Sequence, residues 1–124
     1  METCKTDLFK IFQGEDRDLP IQITRKNGGS FDLRNITEIS VYFPAEADPL
    51  VPLVLTLGGG EVAITDAVAG RFSVHFSDTN SALLRVDSSP QDLTVVLDEG
   101  AHPGGTRRIV PFKEALLVQK QTLV

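Results

Sequence analysis

The chain is 124 residues long, with 41% hydrophobic and 23% charged residues, which fits one soluble domain able to bury a core without staples. Its formal net charge of -5 has the wrong sign for nucleic acid as the main partner, because phosphate binding needs a basic patch. The single cysteine, Cys4, excludes an intrachain disulfide, and no stretch approaches the ~20 apolar residues of a membrane span.

The opening Met-Glu-Thr-Cys-Lys-Thr-Asp carries charge and no apolar h-region, so no signal peptide is expected and synthesis in a reducing cytoplasm fits. Thr6 to Gln13 holds Leu8, Phe9, Ile11 and Phe12, apolar on both alternating faces. Such a stretch is either a strand covered on two sides or an arm that docks on a neighbour. Gly14 to Asp18 is a polar turn. Leu19, Ile21 and Ile23 then alternate with Pro20, Gln22 and Thr24, with Pro20 expected at the strand's start or on an edge. Asn27-Gly28-Gly29 is a tight-turn signal.

Phe31-Asp32-Leu33 re-enters after that turn. Ile39, Val41 and Phe43 mark the next strand, which Pro44 ends. Val51, Leu53, Leu55 and Leu57 alternate, while Leu50 and Val54 make the second face apolar too. Gly58-Gly59-Gly60 reads as a hairpin turn, since no Lys-Ser/Thr and no helix follow it. Val62 and Ile64 form a short strand.

Gly70 to Ser77 carries the clearest alternation, with Phe72, Val74 and Phe76 on one side and Arg71, Ser73, His75 and Ser77 on the other. A helix of about two turns is expected after it, capped by Ser77 or Asp78 and closed by Asp87 to Pro90. Leu93, Val95 and Leu97 make another strand. Thr106 to Lys113 pairs with it as a hairpin, Leu116 to Val118 is a last short strand, and the chain from Gln119 is a tail. Phe72, Val74 and Phe76 are expected in one core with Ile21, Ile23, Val41, Phe43, Leu93 and Val95. Turn-separated short strands favour an antiparallel sandwich or barrel.

Chemistry-bearing residues are sparse. His75 and His102 lack metal-ligand spacing with each other or with Cys4. Glu15, Asp16 and Asp18 read as a solvated turn, since the EF-hand pattern is absent. No nucleophile elbow, phosphate loop or dinucleotide fingerprint is present. The expectation is therefore no catalytic residue, no metal and no cofactor. The apolar surplus says more. Phe9, Phe12, Leu50, Val54, Val96, Leu116 and Leu123 do not fit a single inward-facing set, and a monomer rarely exposes a large apolar patch. Terminal segments of this kind suit strand addition to a partner, so Leu8, Phe9, Ile11, Phe12, Leu116, Leu117 and Val118 are candidate protein contacts.

The order of signals carries a resemblance. Gly14-Glu-Asp-Arg-Asp-Leu-Pro-Ile-Gln-Ile-Thr leads to Asn27-Gly-Gly-Ser-Phe-Asp-Leu and Ile36-Thr-Glu-Ile-Ser-Val-Tyr-Phe-Pro. Val62-Ala-Ile-Thr-Asp, Ala69-Gly-Arg-Phe-Ser-Val-His-Phe-Ser and a short Thr-x-x-x-Leu-Leu segment follow. From Gly14 to Lys113 this resembles the Ig-like β-sandwich modules of tailed-bacteriophage virion proteins, including the N-terminal domain of baseplate upper proteins. The resemblance implies an all-β, antiparallel Ig-like β-sandwich of about eight short strands with one short helix. It implies one domain over 1-124, with 1-13 and 114-124 as docking arms.

In function it implies a non-enzymatic structural or assembly protein of the tail, baseplate or neck, made in the host bacterial cytoplasm and located in the virion. Its partners would be other virion structural proteins, in multiple copies of a symmetric assembly, with no nucleic acid and no membrane. Such modules often precede a receptor-binding or fibre region. One domain alone points instead to a connector. A stand-alone carbohydrate- or peptide-binding β-sandwich is the alternative, weakened for sugars by the lack of Trp and the single Tyr. An enzyme using His75 with a nearby Asp or Ser is a third.

Overall fold

Period-two alternation becomes two sheets. A computed structural model describes residues 2–5, 8–25, 29–45, 51–100 and 106–120, with the side chains of 2–5 and 106 left aside. The expectations for Thr6, Asn27-Gly28, Leu50, His102, Leu123 and the Cys4 thiol lie outside what is described.

The strand at the centre of the sequence pattern is β7 (Arg71–Phe76), which buries Phe72, Val74 and Phe76. It is an inner strand of a four-stranded sheet ordered β1 (Glu2–Lys5), β3 (Arg17–Arg25), β7, β6 (Val62–Asp66). Every neighbouring pair in this sheet is antiparallel. The second sheet has five strands in the order β2 (Phe9–Phe12), β9 (Thr106–Gln119), β8 (Gln91–Glu99), β4 (Ile36–Phe43), β5 (Leu53–Thr56).

Nine strands occur among the described residues, against about eight or nine expected. One expectation is corrected here. The five-stranded sheet is mixed rather than antiparallel, because β2 runs parallel to β9, with Phe9 opposite Leu116 and Phe12 opposite Gln119. The cause is a change of sheet. The chain leaves β1 in one sheet, joins the other as β2, and meets an edge that runs its own way.

The two sheets close on each other through their inward residues. All nine expected core residues are buried, joined by Leu19, Ile39, Leu55, Leu97, Val110 and Phe112 among others. Phe76 shows the contact directly. Its ring stacks 6.4 Å from Phe9 and meets Phe43 edge-on at 4.9 Å, both on the opposite sheet. Offset and edge-on geometries suit the ring quadrupole and add about 0.5–1.5 kcal/mol beyond burial. Pro20 lies inside β3, not at its start. β1 pairs only with Gln22 to Arg25, so Pro20 sits past the end of that partner, where a missing donor is tolerated.

Other local differences have physical reasons. Phe31 and Leu33 form no strand, yet both are buried, because residues 31–33 cross the core in an irregular path. Phe31 N–H donates to the Ile23 carbonyl at 3.4 Å and Leu33 N–H to that of Ala67 at 2.8 Å. Gly70 lies against this crossing at φ 76, where an added Cβ would stand 2.4 Å from the Ile23 oxygen and 2.6 Å from the Phe31 oxygen. The helix is a single turn, α1 (Asp78–Ser81), with Ser77 as N-cap accepting from Asn80 N–H. The expected Thr106–Lys113 and Leu116–Val118 strands are one strand, β9, interrupted by Glu114 at φ 51. The Asp92 carboxylate accepts from Glu114 N–H at 2.8 Å and holds this irregularity.

Candidate functional site

The outward side of the five-stranded sheet is where apolar residues remain without cover. Ile39, Val41 and Phe43 on β4, Val95 and Leu97 on β8, and Val110 and Phe112 on β9 point inward. Period two therefore turns their neighbours outward. Register aligns these neighbours in two rows across four strands. One row runs Val54, Tyr42, Thr94, Pro111, and the next Thr56, Ser40, Val96, Ile109. None of the eight side chains is charged. Ile109 is 67% exposed, a large apolar side chain in mid-strand with nothing over it.

Charge appears only at the two ends of this band. At one end Arg107 Nε donates to Asp98 Oδ1 at 2.8 Å, and Glu38 lies beside them in register with Asp98. The Asp98 carboxylate holds the Arg107 guanidinium above its ordinary range. At the other end Lys113 Nζ stands 3.3 Å from Asp92 Oδ2. The Glu114 N–H, and then Lys113, hold the Asp92 carboxyl below its usual range. Both ion pairs are solvent-facing and contribute little to stability. Their effect is positional. They flank the uncharged band at its two ends.

The seven expected contact residues divide. Phe9, Ile11, Leu116 and Val118 are corrected: they are buried in the domain's own core, because β2 and the end of β9 pair with each other. Leu8 and Phe12 are 42% and 44% exposed, and Leu117 is half-buried. Phe12 and Leu117 lie on the outward side of the same sheet, beyond Glu114. Val54 and Val96, read from sequence as surplus, belong to the outward band. Ile109, Tyr42 and Pro111 were not singled out. The signal for Ile109 was in the alternation, since placing Val110 and Phe112 inward forces it outward.

On the other sheet, His75 lies opposite Asp18. Its Nδ1 is 2.6 Å from Asp18 Oδ1, and its Nε2 is 3.5 Å from Asp16 Oδ1. The Asp18 hydrogen bond raises the histidine above its ordinary range, against an opposing effect of burial and with help from the charges of Asp16 and Asp18. Each ring nitrogen faces a carboxylate, an arrangement that favours imidazolium. Glu15 faces Arg17 at 3.5 Å, a charge contact longer than a hydrogen bond. Among the described residues no three His, Cys, Asp or Glu side chains converge in a way that could hold a metal ion. The Arg25 and Arg108 guanidinium groups stand 5.3 and 5.4 Å from the Phe31 ring centre. No helix among the described residues is long and apolar enough to cross a membrane. No protein-family model matches the chain, and comparison with curated proteins finds no match.

Proposed function

We propose that this chain is an Ig-like β-sandwich serving as a structural or assembly component of a tailed-phage virion, through protein–protein contacts. The observation that carries the contact role is the uncharged band on the outer face of β9, β8, β4 and β5, with Ile109 67% exposed on its β9 side. Apolar patches framed by paired charges mark surfaces that other proteins cover.

The strand order supports the Ig-like part. Immunoglobulin-type sandwiches set strands A, B, E and D against G, F and C, with a further C′ strand beside C in the variable type. Here β1, β3, β7 and β6 stand as A, B, E and D, and β9, β8, β4 and β5 as G, F, C and C′. The antibody-type disulfide and tryptophan have no counterpart, since the chain has one Cys and no Trp. Phe76, Phe43 and Phe9 fill the space between the sheets instead. The virion assignment rests on the sequence resemblance of Gly14 to Lys113.

The test is particle incorporation. Epitope-tagged protein is expressed in a host carrying the phage, and particles are banded on a density gradient. Wild type is expected to band with intact particles and Ile109→Asp to remain in the soluble fraction. A wild-type protein absent from the particle band overturns the proposal.

A further inference from the structure

We propose that His75 is a proton-operated latch on the turn between β2 and β3. Its doubly protonated ring holds Asp16 against β7, and loss of one ring proton releases Asp16 and frees the turn. The inference does not depend on the protein-contact reading above.

The geometry sets the two ring nitrogens against two carboxylates. Nδ1 lies 2.6 Å from Asp18 Oδ1, and Nε2 lies 3.5 Å from Asp16 Oδ1. Imidazolium carries an N–H on both nitrogens and suits both partners. Neutral imidazole carries one N–H and presents a lone pair at the other nitrogen. The contact with Asp18 is the shorter and is a hydrogen bond, so the remaining proton stays on Nδ1. Nε2 then turns its lone pair toward the Asp16 carboxylate, and attraction becomes repulsion.

Asp16 is also where the backbone is least tied. Before it, Gln13 N–H donates to the Gln119 carbonyl at 2.9 Å and Glu15 N–H to that of Phe12 at 3.1 Å. After it, Arg17 and Asp18 pair with Phe76 and His75. The other charged groups near the ring are engaged elsewhere. The Arg17 guanidinium donates to the Lys10 carbonyl at 2.7 Å and stands 5.0 Å from the Phe9 ring centre, and Glu15 faces Arg17. On the β6 flank, Glu61 meets β7 through its carbonyl, which accepts from His75 N–H at 2.7 Å, while its carboxylate lies against Gly59. In α1 the Asp78 carboxylate accepts from Thr79 N–H at 2.8 Å. Arg71 lies further back along β7, beyond Ser73.

The side chains of His75, Asp16 and Asp18 are 48%, 65% and 66% exposed, so the ring follows bulk pH and water screens both ion pairs. The latch therefore moves the turn and leaves the sandwich folded. It is closed while the ring is charged and the carboxylates are ionised. It opens as pH rises through a midpoint above the ordinary 6.5.

NMR on the whole chain, well below and well above the ring's own midpoint, tests it. Above the midpoint the ring is expected as the Nδ1–H tautomer. The order parameter of the Asp16 amide is expected to fall there from about 0.85 toward about 0.6, from rigid to flexible. His75→Ala leaves the turn flexible on both sides of the midpoint. Asp16→Asn leaves it ordered on both, because the new amide donates to the Nε2 lone pair of the neutral ring and its oxygen accepts from the charged one. Circular dichroism confirms that each variant is folded. An Nε2–H tautomer above the midpoint overturns the inference, since it keeps the donor to Asp16. So does a wild-type order parameter at position 16 that is the same on both sides, or one that still changes with pH in folded His75→Ala or Asp16→Asn protein.

Discussion

Gly70→Ala is the substitution whose cost can be worked most directly from the structure. Gly70 has φ 76, and an alanine methyl there meets two backbone oxygens, Ile23 O at 2.4 Å and Phe31 O at 2.6 Å. Neither is the tip of a flexible side chain, so the backbone must move. The left-handed conformation alone costs an L-residue about 1–2 kcal/mol. Relieving the contacts pushes residues 29–33 away from β3 and puts two hydrogen bonds at risk, Ile23 N–H to Gly70 O at 2.9 Å and Phe31 N–H to Ile23 O. Each is worth about 1 kcal/mol. Loss of glycine's freedom in the unfolded chain returns about 0.4–1 kcal/mol.

The net destabilisation is about 2–4 kcal/mol, a fall of about 1–2 M in urea midpoint at a slope near 2 kcal/mol/M. Gly60→Ala is the control. Gly60 has φ 90, but nothing lies within 4 Å of the added methyl, so only the conformational cost remains. Its expected loss is about 1 kcal/mol or less. Equal midpoints for the two variants would refute the claim that the close approach of the Ile23 and Phe31 carbonyls to Gly70 requires glycine there.

Deleting residues 1–12 removes Phe9 and Ile11 from the core, at about 3–5 and 2–5 kcal/mol by the cost of truncating such side chains. That rivals the total stability of a small domain, so thermal unfolding followed by circular dichroism should lose its cooperative transition; an intact transition would mean β2 is peripheral. His75 has a raised pKa, so the stabilisation it gives is fully present below its ordinary value of 6.5 and is lost as pH rises through its folded-state value. Asp18→Asn should lower the His75 titration midpoint seen by NMR, and an unmoved midpoint rules out Asp18 as the main cause. Glu114→Gly should stabilise the protein by about 0.5–1 kcal/mol, because φ 51 suits glycine; a lower urea midpoint would show that the Glu114 side chain contributes more than its strain costs.

What was legible in the sequence was the alternation. Phe72, Val74 and Phe76 state their face in six residues, and the sheet follows the pattern because each side chain has only two directions to point. The β2–β9 pairing was not legible. It joins Phe9 to Leu116, more than a hundred positions apart, through parallel backbone bonds that leave no turn signal. Without that pairing, Phe9, Ile11, Leu116 and Val118 look like apolar arms in need of a partner. The break in β9 was hidden for a different reason. Chains usually place glycine or asparagine at positive φ, and here a glutamate occupies it, held from across the ladder by Asp92. The outward band was half legible: Val54 and Val96 stood out as surplus, whereas Ile109 needed the face of β9 to be assigned first.

The parallel pairing of β2 with β9 also decides how the domain answers a pull. Tension applied at Leu8 and Lys120 draws β2 back toward its start and β9 forward toward its end. Parallel neighbours drawn in this way slide along each other. The four paired positions from Phe9–Leu116 to Phe12–Gln119 then bear the load together. An antiparallel pair pulled from one end would open one bond at a time. Under such a load the mechanical clamp is the β2–β9 pairing, the one parallel contact among the described strands.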